Sequence, residues 1–232
     1  MVSNTIVRKG MWVRIPPAAP SAPSERRPPC RALPPDQISC IDEHGLGAQS
    51  VYLLGLYLGD GVISRGARDV WRLRISQDRR YPRLIENCKT AIAEVTGKKP
   101  GVTMRIGCVD IYCYWKHWPC VFPQLGPGPK HLRRIELEAW QWRLVECHPR
   151  ELVKGLIHSD GCRVTNRVRS PAGRRYEYPR YFFTNHSADI RSIFVKTCGM
   201  LGVECRPDHR HDLSIAQRRS VAILDEFIGP KG

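Results

Sequence analysis

The chain has 232 residues, 42% of them hydrophobic, and carries 37 Lys and Arg against 22 Asp and Glu, a formal net charge of +15. The hydrophobic share is that of an ordinary globular protein and excludes disorder throughout. The positive excess repels itself on folding, and a polyanion such as nucleic acid relieves that repulsion.

Residues 1–50 hold six basic and four acidic side chains, so a net +13 remains for residues 51–232 and the excess belongs to the folding part. Eight of the 19 prolines also fall in residues 1–50, in runs such as "PPAAPSAPSERRPP". Such a composition cannot assemble a packed core, and an extended or disordered segment is expected there. Within it "VRIPPAAP", residues 13–20, reads back into codons that resemble the T-arm and terminal CCA of a transfer-RNA gene. Either the reading frame opens inside such a gene or this is an ordinary Pro-rich tail.

From residue 51 the predicted elements run in a repeated order. "YLLGLYLGDG" reads as an apolar helix ending on Asp60-Gly61, followed by the strand-like "VISRG". "VWRLRIS" alternates Trp71, Leu73 and Ile75 with Arg72 and Arg74, the period of a strand with one apolar and one basic face. "YPRLIENCKTAIAEVTG" opens with Pro82 and closes with Gly97 as helices do, and "GVTMRIG" with "CVDIYCYW" reads as a hairpin. A Gly- and Pro-rich connection follows, with a helix expected around residues 137–145.

The second half repeats the series. "LVKGLIHSDG" ends on Asp160-Gly161, 100 residues after the first Asp-Gly, and "CRVTNRVR" sets Arg163, Thr165, Arg167 and Arg169 on one strand face. "YEYPRYFFTN" is its partner, "SADIRSIFVKTCGMLG" a helix capped by Ser187, "VECRPD" and "DLSIAQ" a hairpin, and "RSVAILDEFIG" a closing helix. The expected fold class is α+β, in two pseudo-symmetric halves, with boundaries at 1–50, 51–135 and 136–232.

The ten cysteines are expected to be reduced and mostly buried. No signal-peptide pattern and no C-x-x-C pair occurs, and the cytoplasm is the expected compartment. A structural zinc among Cys108, Cys113, Cys120, His117 and His131 stays open as a minor alternative. No long uncharged apolar stretch marks a membrane partner.

Gly55 and Gly59 stand four apart in the first apolar helix, as Gly155 and Ser159 do in the second. Four apart is one helical face, and small residues there let two helices approach along a pseudo-twofold axis. Asp60 and Asp160 then meet at the end of that interface. Two close carboxylates at helix C-termini repel, and a divalent cation, Mg²⁺ first, relieves them. Metal-bound carboxylates in a basic groove suit phosphodiester hydrolysis.

"LLGLYLGDG" and "VKGLIHSDG" resemble the two signature motifs of single-chain LAGLIDADG homing endonucleases, through Gly55, Leu56, Asp60 and Gly61 and through Gly155, Leu156, Asp160 and Gly161. The resemblance spans residues 51–232. It implies two αββαββα halves, saddle-shaped antiparallel sheets over double-stranded DNA, signature helices at the interface, and a monomer that makes a staggered double-strand cut. It carries the metal ligands onto Asp60 and Asp160, with Gly59 and Ser159 just before them in the metal set. It also implies a basic or polar catalytic group near the end of each half's last strand, by position Lys116 and Gln217 or Arg218. Base and phosphate contacts are expected from Arg72, Arg74, Arg163, Arg167 and Arg169. The sixth motif position, commonly acidic in the family, is Leu58 and His158 here, a departure that touches helix packing more than chemistry. A non-cleaving DNA-binding regulator, an RNA maturase on the same scaffold and a decayed inert element are the rival readings.

Overall fold

The computed structural model describes residues 46–169, 173–229 and 231. The expectations for residues 1–45, including the tRNA-like stretch, Cys30 and Cys40, lie outside the described residues. In chain order the elements are α1 (Ala48–Asp60), β1 (Gly61–Arg65), β2 (Trp71–Asp78), α2 (Pro82–Thr96), β3 (Gly101–Met104), β4 (Cys108–Trp115) and a short α3 (Trp118–Val121). After a linker come α4 (Ala139–Cys147), α5 (Pro149–Asp160), β5 (Gly161–Arg169), β6 (Arg175–Thr184), α6 (Ala188–Met200), β7 (Arg206–Pro207), β8 (Asp212–Ile215) and α7 (Arg218–Asp225).

The strands form two four-stranded antiparallel sheets of the same order, β1-β2-β4-β3 and β5-β6-β8-β7. Equivalent registers begin them, Gly61 opposite Ile75 and Gly161 opposite Phe183. The fold is thus mixed α and β, built twice. One apolar core joins the halves, because α1 is buried on every side from Ser50 to Leu58, as only a central helix is. Its neighbours are α5, α2 and the first sheet.

Local signals act where expected. Gly97 takes the left-handed conformation (φ +65°) that ends α2, and the Ser187 hydroxyl accepts from the Ile190 amide at the start of α6. The linker helix begins two residues later than expected, at Ala139. There Glu138 and Gln141 form a capping box that fixes the first turn. The eight cysteines among the described residues are all free thiols; Cys88, Cys113 and Cys198 are buried, four are half-buried and Cys147 is exposed. Burial is therefore less general than expected. Among the described residues no three His, Cys, Asp or Glu side chains gather to hold a metal, so the zinc alternative at Cys108, Cys113, Cys120, His117 and His131 is not formed. No helix among them is long and apolar enough to cross a membrane.

Candidate active site

The site is made where α1 meets α5. A Cβ placed on Gly55 would lie 2.8 Å from Gly155 Cα, and one on Gly155 only 2.3 Å from the Tyr52 carbonyl oxygen. Main chain therefore touches main chain, and neither position has room for a methyl group. One turn later a Cβ on Gly59 would meet the Ser159 side chain and come within 2.9 Å of Asp160 Oδ2. The Ser159 hydroxyl turns back to the carbonyls of Gly155 and Leu156.

Both helices end on their aspartate, and both aspartates line one pocket of about 300 Å³. Lys130, His131, Arg133, Thr184, Asn185 and His186 complete its polar wall. Burial, and next the charge of Asp160, push the Asp60 carboxyl up to about 7. Burial also raises Asp160, against the opposing pull of Asn185, Lys130, Lys231 and His186. The two acids are not equivalent. Asn185 Nδ2 donates to Asp160 Oδ2 at 2.7 Å, and Asn185 is itself held by the Ser187 amide on its side-chain oxygen and by Arg191 on its backbone oxygen.

Two lysines serve the pair. Lys130 Nζ donates to the carbonyls of Tyr57, Gly59 (3.2 Å) and Gly61 (2.6 Å) and lies 4.9 Å from the centre of the Tyr57 ring. Burial depresses its amine to about 8, while the two aspartates work against that fall. Lys231 Nζ donates to the Gly161 carbonyl, the counterpart of Gly61, and its charge lowers both carboxyls. The sequence does carry a sign of these lysines: "GPK" occurs at 128–130 and again at 229–231, near the 100-residue offset of the aspartates. Asn185 is marked in the same way: counted from the pairs Gly61–Ile75 and Gly161–Phe183, its counterpart is Gln77 near the end of β2, a buried amide whose Nε2 has no hydrogen-bond partner.

Lys116, Gln217 and Arg218, expected from their position to supply the basic groups, stand elsewhere. None lines the pocket; Lys116 and Arg218 are exposed, and Gln217 precedes α7 with its amide on Glu204. These residues follow the last strands, but the chain must continue through a further helix, α3 or α7, before it returns to the helix ends, where Lys130 and Lys231 arrive. For a metal, the donors present are two carboxylates and nearby backbone oxygens, one of which, on Gly59, already accepts from Lys130. Hard oxygen donors that repel one another fit a divalent cation such as Mg²⁺ that keeps much of its water.

The sheet faces sort the arginines. Residues directly opposite in an antiparallel pair point to the same side. Leu73, Ile75 and Gln77 are buried against the helices, so Arg72 and Arg74 stand on the other, open side with Tyr112 and Tyr114. Arg72 lies over the Tyr112 ring at 4.6 Å, and Arg74 pairs with the buried Asp110 at 3.7 Å. In the second sheet Arg163 is opposite Tyr181, a core residue, and both reach Asp225 of α7. Arg163, Arg167 and Arg169 therefore share the helix side, the face opposite to the one on which Arg72 and Arg74 stand in the first sheet. Arg167 is paired there with Glu177. The open side belongs to Val164, Asn166, Val168, Tyr176, Tyr178 and Arg180. Arg180 occupies the register of Arg72, counted from the equivalent pairs Gly61–Ile75 and Gly161–Phe183, and the Nε of each is buried without a hydrogen-bond partner.

No protein-family model matches the sequence, and no curated protein matches it either. Among solved structures the chain is similar to I-DmoI in complex with DNA and Mn, at 17% identity and TM-score 0.50 over 79% of this chain and 97% of that one. I-SmaMI bound to uncleaved DNA in the presence of calcium ions aligns at 10% identity and TM-score 0.48, over 79% and 85%. The LAGLIDADG meganuclease I-AabMI bound to uncleaved DNA aligns at 12% and 0.47, over 77% and 83%. The likeness to I-DmoI concerns the fold, and with the twice-built sheets and paired signature helices it gives the chain its place: this is the fold of the single-chain LAGLIDADG homing endonucleases.

Proposed function

We propose that this protein is a site-specific DNA endonuclease that cuts both strands of a double-stranded target by divalent-metal-dependent phosphodiester hydrolysis. The observation that carries this reading is the pairing of Asp60 and Asp160 in one pocket, with a lysine on each side, at a helix contact that admits no side chain. Asp60 and Asp160 would hold the metal, Mg²⁺ being the natural ion; when bound it supplies Lewis acidity and lowers the pKa of attacking water.

The chain's own residues do the rest. Asn185 fixes one oxygen of Asp160 and leaves the other to turn inward. The ammonium groups of Lys130 and Lys231 set positive charge beside the scissile phosphates, where the transition state gathers negative charge. DNA would lie on the open sheet sides, with Arg72, Arg74 and Arg180 on phosphates or guanine edges and Tyr112, Tyr114, Tyr176 and Tyr178 against the groove wall. The pseudo-twofold of the single chain then faces the approximate twofold of the duplex.

The test uses purified protein and a randomised duplex pool. Bound sequences are selected first, then incubated with Mg²⁺ and scored on denaturing gels. Double-strand cuts that vanish in Asp60→Asn and in Asp160→Asn support the reading. Tight binding with no cut assigns the chain to the non-cleaving regulators, and neither binding nor cutting overturns the proposal.

A further inference from the structure

Lys231 reaches the Gly161 carbonyl from a short stretch after α7, and something must hold that stretch in place. Ile228 is buried, Gly229 takes φ +68°, and the chain turns there toward the pocket. The Ile228 carbonyl is 3.0 Å from His158 Nε2, and His158 Nδ1 is 2.9 Å from the Tyr52 hydroxyl. One arrangement satisfies all three groups: the Tyr52 hydroxyl donates to Nδ1, and Nε2–H donates to the Ile228 oxygen. Burial keeps the imidazole neutral, its pKa depressed to about 4, and keeps the proton on Tyr52. The two rings meet edge to face, 5.7 Å apart.

We infer that His158 is a positioning residue that sets Lys231 beside the aspartate pair, by tying the Ile228 carbonyl to the α1–α5 contact through Tyr52. The inference rests on reading the pocket as a nuclease site. It explains why the second signature helix carries a buried imidazole where the first carries Leu58, a side chain with no polar atom. The two lysines are held by different means. Lys130 sits on a tight turn, Lys130–Leu132, followed by Arg133, whose guanidinium donates to the Gln124 carbonyl. Lys231 depends on the bond from His158 three residues before it.

The experiment compares the two lysines within one molecule. Metal-free, DNA-free protein is treated briefly with an amine-reactive acylating reagent, and the labelling of Lys231 and Lys130 is quantified by peptide mass spectrometry. His158→Leu, which copies the first half, raises Lys231 labelling about tenfold, the equilibrium worth of one buried hydrogen bond, with Lys130 unchanged. His158→Gln, whose amide can still donate to the Ile228 oxygen, returns the ratio to within about twofold of the parent. An unchanged Lys231/Lys130 ratio in His158→Leu overturns the inference, and so does a parallel rise of both lysines, which is general loosening. Because no metal, DNA or cleavage enters this measurement, its failure is distinct from failure of the nuclease reading, which the parent's own cutting assay decides.

Discussion

Replacing Asp60 by Asn makes the metal-free protein more stable, and the gain depends on pH in a way the pocket dictates. The folded chain holds the Asp60 proton up to about 7 against an ordinary value of 3.8, from burial and the charge of Asp160. A carboxyl raised in the native state stabilises the fold most when protonated, below its unfolded value. That stability is lost as pH climbs from about 4 to 7, at roughly 1.4 kcal/mol per pH unit. By pH 8 the parent has lost about 4 kcal/mol that the Asn variant, with nothing to titrate, keeps. At pH 5 the difference is about 1.5 kcal/mol. For a chain of this length the pH 8 figure is a rise in Tm on the order of 10 °C. Circular-dichroism melts in EDTA at pH 5 and pH 8 measure it. Adding Mg²⁺ should raise the parent's Tm and leave the variant's unmoved, since only the parent offers both carboxylates. A variant less stable than the parent at pH 8, or a gain equal at both pH values, would show that Asp60 is not held under charge and burial strain.

Four further outcomes follow from the packing. Gly155→Ala puts a methyl 2.3 Å from the Tyr52 carbonyl, a main-chain atom that cannot swing away, and costs about 3 kcal/mol in a urea titration. Lys130→Met removes the ammonium group that bonds three carbonyls at the end of α1, and single-turnover cleavage of the selected duplex slows about a hundredfold. Arg180→Ala weakens binding to that duplex by about 1–3 kcal/mol in fluorescence anisotropy. Arg163→Ala leaves affinity nearly unchanged and instead lowers stability by about 1 kcal/mol through its lost bonds to Asp225. Equal effects of the two arginines on binding would undo the assignment of sheet faces.

The elements, their order and the meeting of the aspartates were legible because each is written in local signals that occur twice. Apolar runs broken by Gly55 and Gly155 define helices that must pack closely, and Asp-Gly ends both. The face of β5 was not legible for a physical reason. From Arg163 onward every residue of the strand is exposed, Val164 and Val168 along with the arginines beside them, so no buried apolar set marks an inside. In β2, Leu73 and Ile75 do mark one, and there the alternation of Arg72 and Arg74 could be read directly. The lysines escaped because they lie in loops, where periodicity has no meaning. Only the doubled tripeptide at 128–130 and 229–231 betrays them.

The glycine contact between the two central helices works as a gauge block. Since backbone rests on backbone at Gly55 and Gly155, the gap between the acids below is machined by the peptide chain and owes nothing to the size of neighbouring side chains. The outer strands can then be rewritten without retuning the spacing at the centre. A designer seeking new sequence preferences has the whole open surface to alter, provided two residues without side chains are left alone.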